Sequence, residues 1–416
     1  MSLRPLQCAL LSLALGSLAA QAQTLQDWLP ATTQVAPVLR SSPLIQAAHA
    51  RQDAQLQRAR GLEAGAGEWA LRLNQQQRRV RDPQERFAET TLALERPLRL
   101  WGKAGMDAQM AERDREVARI GLADALHEAS RQLLNQWFDA LRARLEDDSA
   151  QRELQLSREL NRQARVRLGQ GDISPLDARL AEAELQRSEA NARLAQADLV
   201  RSRTQLQRLY PGLPEPRWPS TDGQDPAPPA QALDAALQDF LSNHHELNLL
   251  RAEAQRQQQL AERIERDRWP DPTVGVFAAR ERAGAEQLVG VSVAMPLSGT
   301  YRESQARAAL AEARVLHERV QQLERQLAAD FEGRWLQLAH QQQALTALRA
   351  AAATQRQAAE KSLTAYTLGE HSMTELIQNR RLANEQQLAS QRLRLEGLHN
   401  LALIELDAHR LWDLDD

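Results

Sequence analysis

Two long stretches of the sequence contain no proline, and they constrain the fold of this chain more than any other feature. They run over residues 102–168 and 299–368. An α-helix rises 1.5 Å per residue, so either stretch could form one helix of roughly 100 Å. Alanine, leucine, glutamine, arginine and glutamate dominate the composition, and aromatic residues make up only 4%. This composition favours long helices packed in a thin layer over several compact cores.

The second half of the sequence repeats the plan of the first half. Pro97-Leu98 and Pro296-Leu297 each precede one of the proline-free stretches, and the motif GDISPLDA of the first half corresponds to GEHSMTEL of the second. An internal repeat of this kind indicates repeated structural units. We therefore predict a tandem duplication in which each half contains a helix, two strands, a long helix, a turn and a second long helix.

The boundaries of the two repeats follow from the segment between them. Residues 210–231 read YPGLPEPRWPSTDGQDPAPPAQ, which is too rich in proline for a regular helix and is predicted to be a connector. The first repeat is then 23–209 and the second is 232–416. The turns between the paired long helices are expected at about 168–175 and 368–373.

Short segments of alternating hydrophobicity precede the long helices. Period-two alternation predicts strands with one apolar and one polar face, at about 66–74, 87–96, 273–281 and 287–295. A soluble sandwich and a membrane barrel both produce this pattern. Two hairpins cannot bury such faces or satisfy their own edges in lipid, so a membrane location would require several copies of the chain to close one barrel.

The returning helices are expected to begin at Ser174-Pro175 and near Ser372, because serine is a good N-cap and proline fits the first turn. Each carries two heptad stripes, many of whose members are small. In the first repeat the stripes are Leu185, Ala192, Leu199, Leu206 and Leu176, Ala183, Ala190, Ala197; in the second they are Leu376, Ala383, Ser390, Gly397 and Leu388, Leu395, Ala402. Two stripes predict a helix that packs against neighbours on both sides.

The N-terminus has the pattern of a secretory signal peptide. Arg4 precedes a short apolar run, and Ala20-Gln21-Ala22 fits a cleavage site, so we expect residues 1–22 to be removed. Cys8 lies within this segment, so the mature chain is expected to contain no thiol. The net charge of −3 provides no basic surface for nucleic acid.

Taken together, these motifs resemble the TolC-like family of outer-membrane efflux proteins along nearly the whole mature chain. The segments LERPLRLWGKAG and VGVSVAMPLSGTYRESQA resemble its heavy-metal efflux branch. The resemblance implies a mainly α fold with a small β part: a homotrimer with a long periplasmic α-barrel and a shared twelve-stranded barrel in the outer membrane of a Gram-negative bacterium. It also implies two partners, a periplasmic adaptor protein and an inner-membrane pump of the RND type.

The resemblance also assigns roles to residues at the two helical turns. Adaptor docking would fall to Leu168, Gly169, Gly171, Leu368 and Gly369. These residues match the family's periplasmic tips, which are the ends of the long helical hairpins.

The expected gate lies at the same tips. Asp177 would pair with Tyr366 to hold the pore closed, and Glu375 would form a ring at the constriction. The chain departs from the family pattern by having His371 after the tip glycine and Gln378 where a second acid is common. Both departures weaken the expected closed-state lock.

Three tryptophans near strand ends, Trp69, Trp101 and Trp269, are interpreted as a girdle at the membrane interface. His244-His245-Glu246 lacks a third spaced ligand, and no catalytic constellation occurs, so no metal site, cofactor or enzymatic activity is expected. The alternatives are a periplasmic adaptor, which would have one hairpin rather than two, and a secreted coiled-coil polymer, which would need no alternating strands. The sequence does not distinguish heavy-metal efflux from drug efflux.

Overall fold

The computed structural model describes residues 25, 27–218 and 225–414. The predicted signal peptide and part of the connector lie outside the described residues. In chain order the elements are α1 (Thr32–Arg40), α2 (Pro43–Ala64), β1 (Ala70–Val80), β2 (Glu85–Pro97), α3 (Lys103–Gln170), α4 (Pro175–Leu209), α5 (Leu233–Asn243), α6 (His245–Arg266), β3 (Thr273–Glu281), β4 (Glu286–Ala294), α7 (Thr300–Thr367) and α8 (Met373–Asp407). Across the described part of the chain, the helices lack the length of apolar sequence that a membrane crossing requires.

The chain forms two compact units. The sheet unit comprises residues 47–124 and 245–325, and the hairpin unit comprises the described residues before 47, between 125 and 244, and after 325. Each unit takes segments from both halves of the sequence, and unit boundaries fall within α3 and α7. The sequence repeat and the compact unit are therefore different divisions of the same chain.

The sheet unit contains one antiparallel sheet with the strand order β1-β2-β3-β4. The two hairpins of the two repeats join where β2 pairs with β3, which leaves β1 and β4 as edges. β1 extends to Val80, beyond the predicted end at residue 74. The extension is stabilised by cross-strand contacts to the buried Glu89, which accepts hydrogen bonds from Gln76 (2.9 Å) and pairs with Arg78 (3.0 Å).

The register places apolar side chains in rows across one face of the sheet. Residues directly opposite one another share a face. Two such rows are Leu71, Leu94, Val276, Val291 and Leu73, Leu92, Ala278, Val289. Seven of these eight side chains are large and apolar, and all seven are exposed; Val289 keeps 86% of its surface. The sheet unit therefore presents an uncovered apolar face.

A buried lysine holds the start of α3 in the sheet unit. Trp101 and Gly102 both have positive φ (57° and 74°), and they turn the chain from β2 into α3. Lys103 is only 1% exposed, and its Nζ donates to the carbonyl of Trp269 (2.7 Å) and pairs with Asp271 (2.9 Å) and Asp267 (3.1 Å). Because the ammonium group has three donors, these partners satisfy it fully despite its burial.

In the hairpin unit the two returning helices bury their stripes to different extents. On α8 both stripes are at least partly buried, and Gly397 allows close approach of Pro226, whose Cγ would lie 2.7 Å from an added Cβ. On α4 the stripe with Ala192 and Leu206 is partly or fully buried. The other α4 stripe (Leu176, Ala183, Ala190, Ala197) is exposed. One face of α4 is therefore left without a neighbour in the single chain.

A charged cluster closes the end of α8. Asp407 is buried, and its two carboxylate oxygens accept hydrogen bonds from Arg131 (2.5 Å) and Arg334 (2.9 Å), while His127 lies 3.4 Å away. Burial alone would raise the pKa of Asp407, but His127, Arg131 and Arg334 outweigh it and hold that pKa below its usual value. The carboxylate thus joins α3, α7 and α8 within this unit.

The first prediction concerns this carboxylate. Asp407→Asn removes the buried counter-charge that Arg131 and Arg334 share, and removing one partner of a buried ion pair costs about 3–5 kcal/mol. We expect hydrogen exchange in the last turns of α8 to show a comparable loss of local stability. The matched control is Asp198→Asn, which breaks an exposed pair with Arg201 and should cost less than about 1 kcal/mol.

The stability that the Asp407 carboxylate contributes should also depend on pH. Because the folded-state pKa of Asp407 is depressed, its stabilisation is present above about pH 4 and is lost as the pH falls through the folded pKa. Equal losses in the two variants would contradict a special role for the Asp407 cluster.

Candidate functional site

The turn between α3 and α4, the first tip, is built by one glycine and one serine. Gly171 has φ of 79°, its N–H donates to Leu168 O (3.1 Å), and the next N–H, of Asp172, donates to Arg167 O (2.8 Å). This is the hydrogen-bond pattern of a Schellman motif, which ends a helix with a left-handed residue. Ser174 then caps α4 by accepting a hydrogen bond from the Asp177 N–H at 3.1 Å.

The turn between α7 and α8, the second tip, has the same construction. Gly369 has φ of 81° and donates to Tyr366 O (3.2 Å), and the N–H of Glu370 donates to Ala365 O (2.9 Å). Ser372 caps α8 by accepting from the Glu375 N–H at 3.2 Å. Two sequence-distant turns therefore have the same backbone hydrogen bonds, as the internal repeat predicts.

The five residues expected to dock an adaptor lie on the surface of these tips. Leu168 and Leu368 are exposed, and Leu368 keeps 70% of its surface. Gly169 lies inside α3, whereas Gly171 and Gly369 form the left-handed turns, and no atom lies within 4 Å of a Cβ added at any of the three. Each tip thus presents an apolar side chain beside open backbone.

An apolar cluster lies beneath the tips and contains Tyr366. Its buried members are Leu160, Ala164, Ala181, Tyr366, Met373, Leu376 and Ile377. The ring of Tyr366 contacts the guanidinium of Arg167, whose carbon lies 5.1 Å from the ring centre. Burial raises the pKa of the Tyr366 hydroxyl, Arg167 opposes the rise and Asp177 adds to it.

The two acidic residues assigned to the gate are engaged in helix caps. Asp177 accepts a hydrogen bond from the Ser174 hydroxyl (2.8 Å), and Glu375 accepts from the Ser372 N–H (2.8 Å) and hydroxyl (2.9 Å). These bonds from Ser372 lower the pKa of Glu375. In the single chain the Asp177–Tyr366 hydrogen bond is not formed, and the buried Tyr366 hydroxyl has no partner among the described residues.

A polar network above the tips was not identified from the sequence. Glu184 on α4 is buried and accepts hydrogen bonds from Arg381 on α8 (3.0 and 3.2 Å) and from Arg187 (2.6 and 3.1 Å). Burial raises the pKa of Glu184, but the two arginines outweigh it and lower the pKa overall. Arg187 also bonds Glu153 on α3. The Glu184–Arg187 spacing indicates a pair on one helix, but nothing in the sequence indicates Arg381.

The three expected interface tryptophans are exposed in the sheet unit. Trp101 and Trp269 lie together, with ring centres 6.1 Å apart, and the Trp101 indole N–H donates to Pro270 O at 3.3 Å. The guanidinium of Arg96 lies over the ring of Trp69, with its carbon 5.4 Å from the ring centre. Trp69 immediately precedes β1, Trp101 follows the end of β2 at Pro97, and Trp269 precedes the start of β3 at Thr273, so all three lie near strand ends.

Sequence reasoning also missed a group of histidines in the hairpin unit. The ring of His127 lies 5.6 Å from that of His409 and 6.2 Å from that of His244. The expectation of no metal site rested on the local segment at residues 244–246, and such a segment gives no information on partners so distant in sequence.

The second prediction separates the roles of the tip glycines. A Cβ would find open space at Gly171 and Gly369, so Gly→Ala there should cost only the left-handed backbone, about 1–2 kcal/mol. Gly169→Ala is the matched control, because this helical glycine should gain about 0.5–1 kcal/mol. Hydrogen exchange at the Asp172 and Glu370 amides would measure both changes. A uniform response of all three variants would rule out this explanation.

Comparisons with known proteins place this geometry in context. No protein-family model matches the chain. The cobalt-zinc-cadmium resistance protein CzcC of Cupriavidus metallidurans is 28% identical over 219 residues, which are 52% of this chain and 52% of that protein. The match therefore spans about half the length of this relative.

Solved structures match over nearly the whole length. The outer-membrane channel OprN has a TM-score of 0.75 at 17% identity, covering 94% of this chain and 92% of that one. The outer membrane protein VceC of Vibrio cholerae has a TM-score of 0.72 at 16% identity, covering 95% and 96%. The chain has the fold of the TolC-like outer-membrane channels, and the resemblance expected from the sequence is confirmed.

Proposed function

We propose that this chain is the outer-membrane exit duct of a tripartite efflux system in a Gram-negative bacterium. The observation that carries the proposal is the fold, shared over more than nine-tenths of the chain with outer-membrane channels. The exposed apolar rows of the sheet add physical support, because such a face is stable against lipid and unfavourable in water. A periplasmic adaptor is disfavoured, since the chain contains two long helical hairpins rather than one.

The active form is a homotrimer that closes one barrel. The four-stranded sheet has two edges, β1 and β4, whose unpaired N–H and C=O groups would be costly in lipid. Three chains of four strands close a barrel of twelve strands and remove every edge. The exposed stripe of small residues on α4 supports the same assembly, because it offers a helix face of suitable shape to a neighbouring chain.

The tips dock a periplasmic adaptor, which connects the duct to an inner-membrane pump of the RND type. Leu168 and Leu368 supply exposed apolar contacts, and Gly169, Gly171 and Gly369 leave the adjacent backbone uncovered. The glycines permit close approach of a helical hairpin of the adaptor. Burial of the two leucines in that interface would supply binding energy. The tryptophans Trp69, Trp101 and Trp269 serve as the interfacial girdle of the barrel.

The substrates we propose are heavy-metal cations. The supporting observation is the similarity to CzcC, a protein named for cobalt, zinc and cadmium resistance, over half of the chain. Drug efflux is the competing assignment.

The third prediction tests both assignments in cells. Deleting the gene should lower tolerance to cobalt, zinc and cadmium salts, and the wild-type gene should restore it. Gly369→Val should fail to restore tolerance although the protein reaches the outer membrane, since valine resists a positive φ. Gly333→Ala, at an open helical position of α7 away from the tips, is the control and should restore tolerance. Loss of drug tolerance alone would refute the metal assignment, and an unchanged phenotype would refute the duct.

The gate is proposed to use Asp177, Tyr366 and Glu375. The buried Tyr366 hydroxyl has no partner in the described chain, while the Asp177 charge is near enough to raise its pKa. A modest movement of the tips would allow the two to hydrogen-bond and hold the pore closed. Three copies of Glu375 around the threefold axis would favour cations at the constriction.

The fourth prediction concerns this lock. Tyr366→Phe removes the donor with little change in volume, so the closed state should weaken by about 1 kcal/mol, equivalent to a roughly fivefold higher open-to-closed ratio. Planar-bilayer recordings of the conductance would measure this ratio. Light scattering would first check that the protein has the mass of a trimer. Asp177→Asn should act in the same direction.

Ser174→Ala is the control for the Asp177 variant, because it removes the capping partner of Asp177 and leaves the carboxylate. Conductance at the wild-type level in both Tyr366→Phe and Asp177→Asn would eliminate the lock. A response in Ser174→Ala as large as that in Asp177→Asn would assign the effect to helix capping.

A further inference from the structure

A cavity of about 490 Å³ lies among α3, α4, α7 and α8 within the hairpin unit. Much of its lining is apolar, including Leu156, Leu160, Leu363 and Ile377. Its volume falls in the range of small-molecule binding sites, which combine apolar walls with a few polar groups that orient the ligand. Nothing in the proposed duct function assigns a role to this cavity.

Two of the three carboxylates in the cavity wall have cationic or amide partners at hydrogen-bond distance, whereas the exposed Glu360 has only a contact of 3.9 Å with Arg356. Glu184 accepts hydrogen bonds from Arg187 and Arg381, and Glu153 accepts from Arg187 and from Asn384 (2.7 Å). These acceptors are held by their own helices and neighbours. They are therefore not available to neutralise another cation in the cavity.

Arg380 also lines the cavity, and its guanidinium group differs from Glu153 and Glu184 in its partners. Among the described residues it makes no ion pair and no side-chain hydrogen bond, although it is half-buried. Burial lowers the pKa of Arg380 with no counter-charge to oppose it. By contrast, the hydrogen bond to Glu184 is the largest cause that raises the pKa of the nearby Arg187. Arg380 is thus a half-buried cation without a described counter-charge, in a wall that also carries apolar side chains.

We propose that this cavity binds an amphipathic organic anion, such as an aryl sulfonate or carboxylate. Its acidic group pairs with the Arg380 guanidinium, whose planar donors suit a two-oxygen acceptor. Its apolar body contacts Leu156, Leu363 and Ile377. A metal cation does not fit beside Arg380, because this unpaired charge is positive and Glu153 and Glu184 are already paired.

The test uses the full chain in a non-ionic detergent and naphthalene-2-sulfonate as the probe. Isothermal titration calorimetry, with a detergent blank, should give saturable binding. Arg380→Gln should weaken it at least tenfold, as expected for loss of a charge-assisted hydrogen bond. The neutral naphthalene-2-sulfonamide should bind at least tenfold more weakly than the sulfonate to the wild type.

Two further variants keep the test decisive. Arg152→Gln changes an exposed arginine at the cavity edge and should alter binding by less than about twofold, because solvent screens its charge. Ala359→Phe fills the cavity, retains Arg380 and should abolish binding. If Arg380→Gln does not fold, Arg380→Lys takes its place, and it should retain charge but weaken binding by losing the planar donor pair.

Three outcomes would overturn the proposal: no saturable binding to the wild type, wild-type affinity in the Arg380 variant, or equal losses in the Arg152 and Arg380 variants. The duct function is tested separately by metal tolerance. Failure of the titration would therefore leave the proposed efflux role intact, and failure of the tolerance assay would leave the cavity intact.

Discussion

The unpaired edges of the four-stranded sheet are the constraint on which the rest of the structure depends. β1 and β4 each present backbone donors and acceptors without partners in the single chain, next to rows of exposed leucine and valine. Neither the edges nor the apolar face can be satisfied by the chain that makes them. The proposed duct would therefore need several copies of the chain to close its barrel, and the uncovered face of α4 would be covered in the same assembly.

The helical tips show how local backbone chemistry shapes the proposed docking surface. A left-handed glycine ends each long helix and a serine starts the next within a few residues, so the hairpins end in short, well-defined turns. Asp177 and Glu375 complete the capping boxes, and their charge is thereby held at a fixed place. Residues assigned to gating thus also stabilise the ends of helices, and the gate variants need capping controls for this reason.

Arginine–carboxylate contacts connect the long helices of the hairpin unit at two places. Glu184 joins α4 to α8, and Asp407 joins α3, α7 and α8. In both clusters the partners outweigh the cost of burying the carboxylate, and both pKa values fall: Arg187 and Arg381 act on Glu184, and His127, Arg131 and Arg334 act on Asp407. Arg380 departs from this pattern, since it is half-buried without a described carboxylate partner. The proposed anion would supply its missing counter-charge.

Local features of the sequence determined much of this protein by themselves. The absence of proline allowed α3 and α7 to run unbroken, alternation identified the strands near their observed positions, and the motifs at Gly171 and Gly369 marked both tips. These features act through backbone geometry and side-chain period, which depend on near neighbours in sequence. Only the tertiary structure decided the pairing of β2 with β3, the longer β1, the Glu184–Arg381 contact and the unpartnered hydroxyl of Tyr366. Each of these depends on groups far apart in the sequence, whose meeting no local pattern encodes.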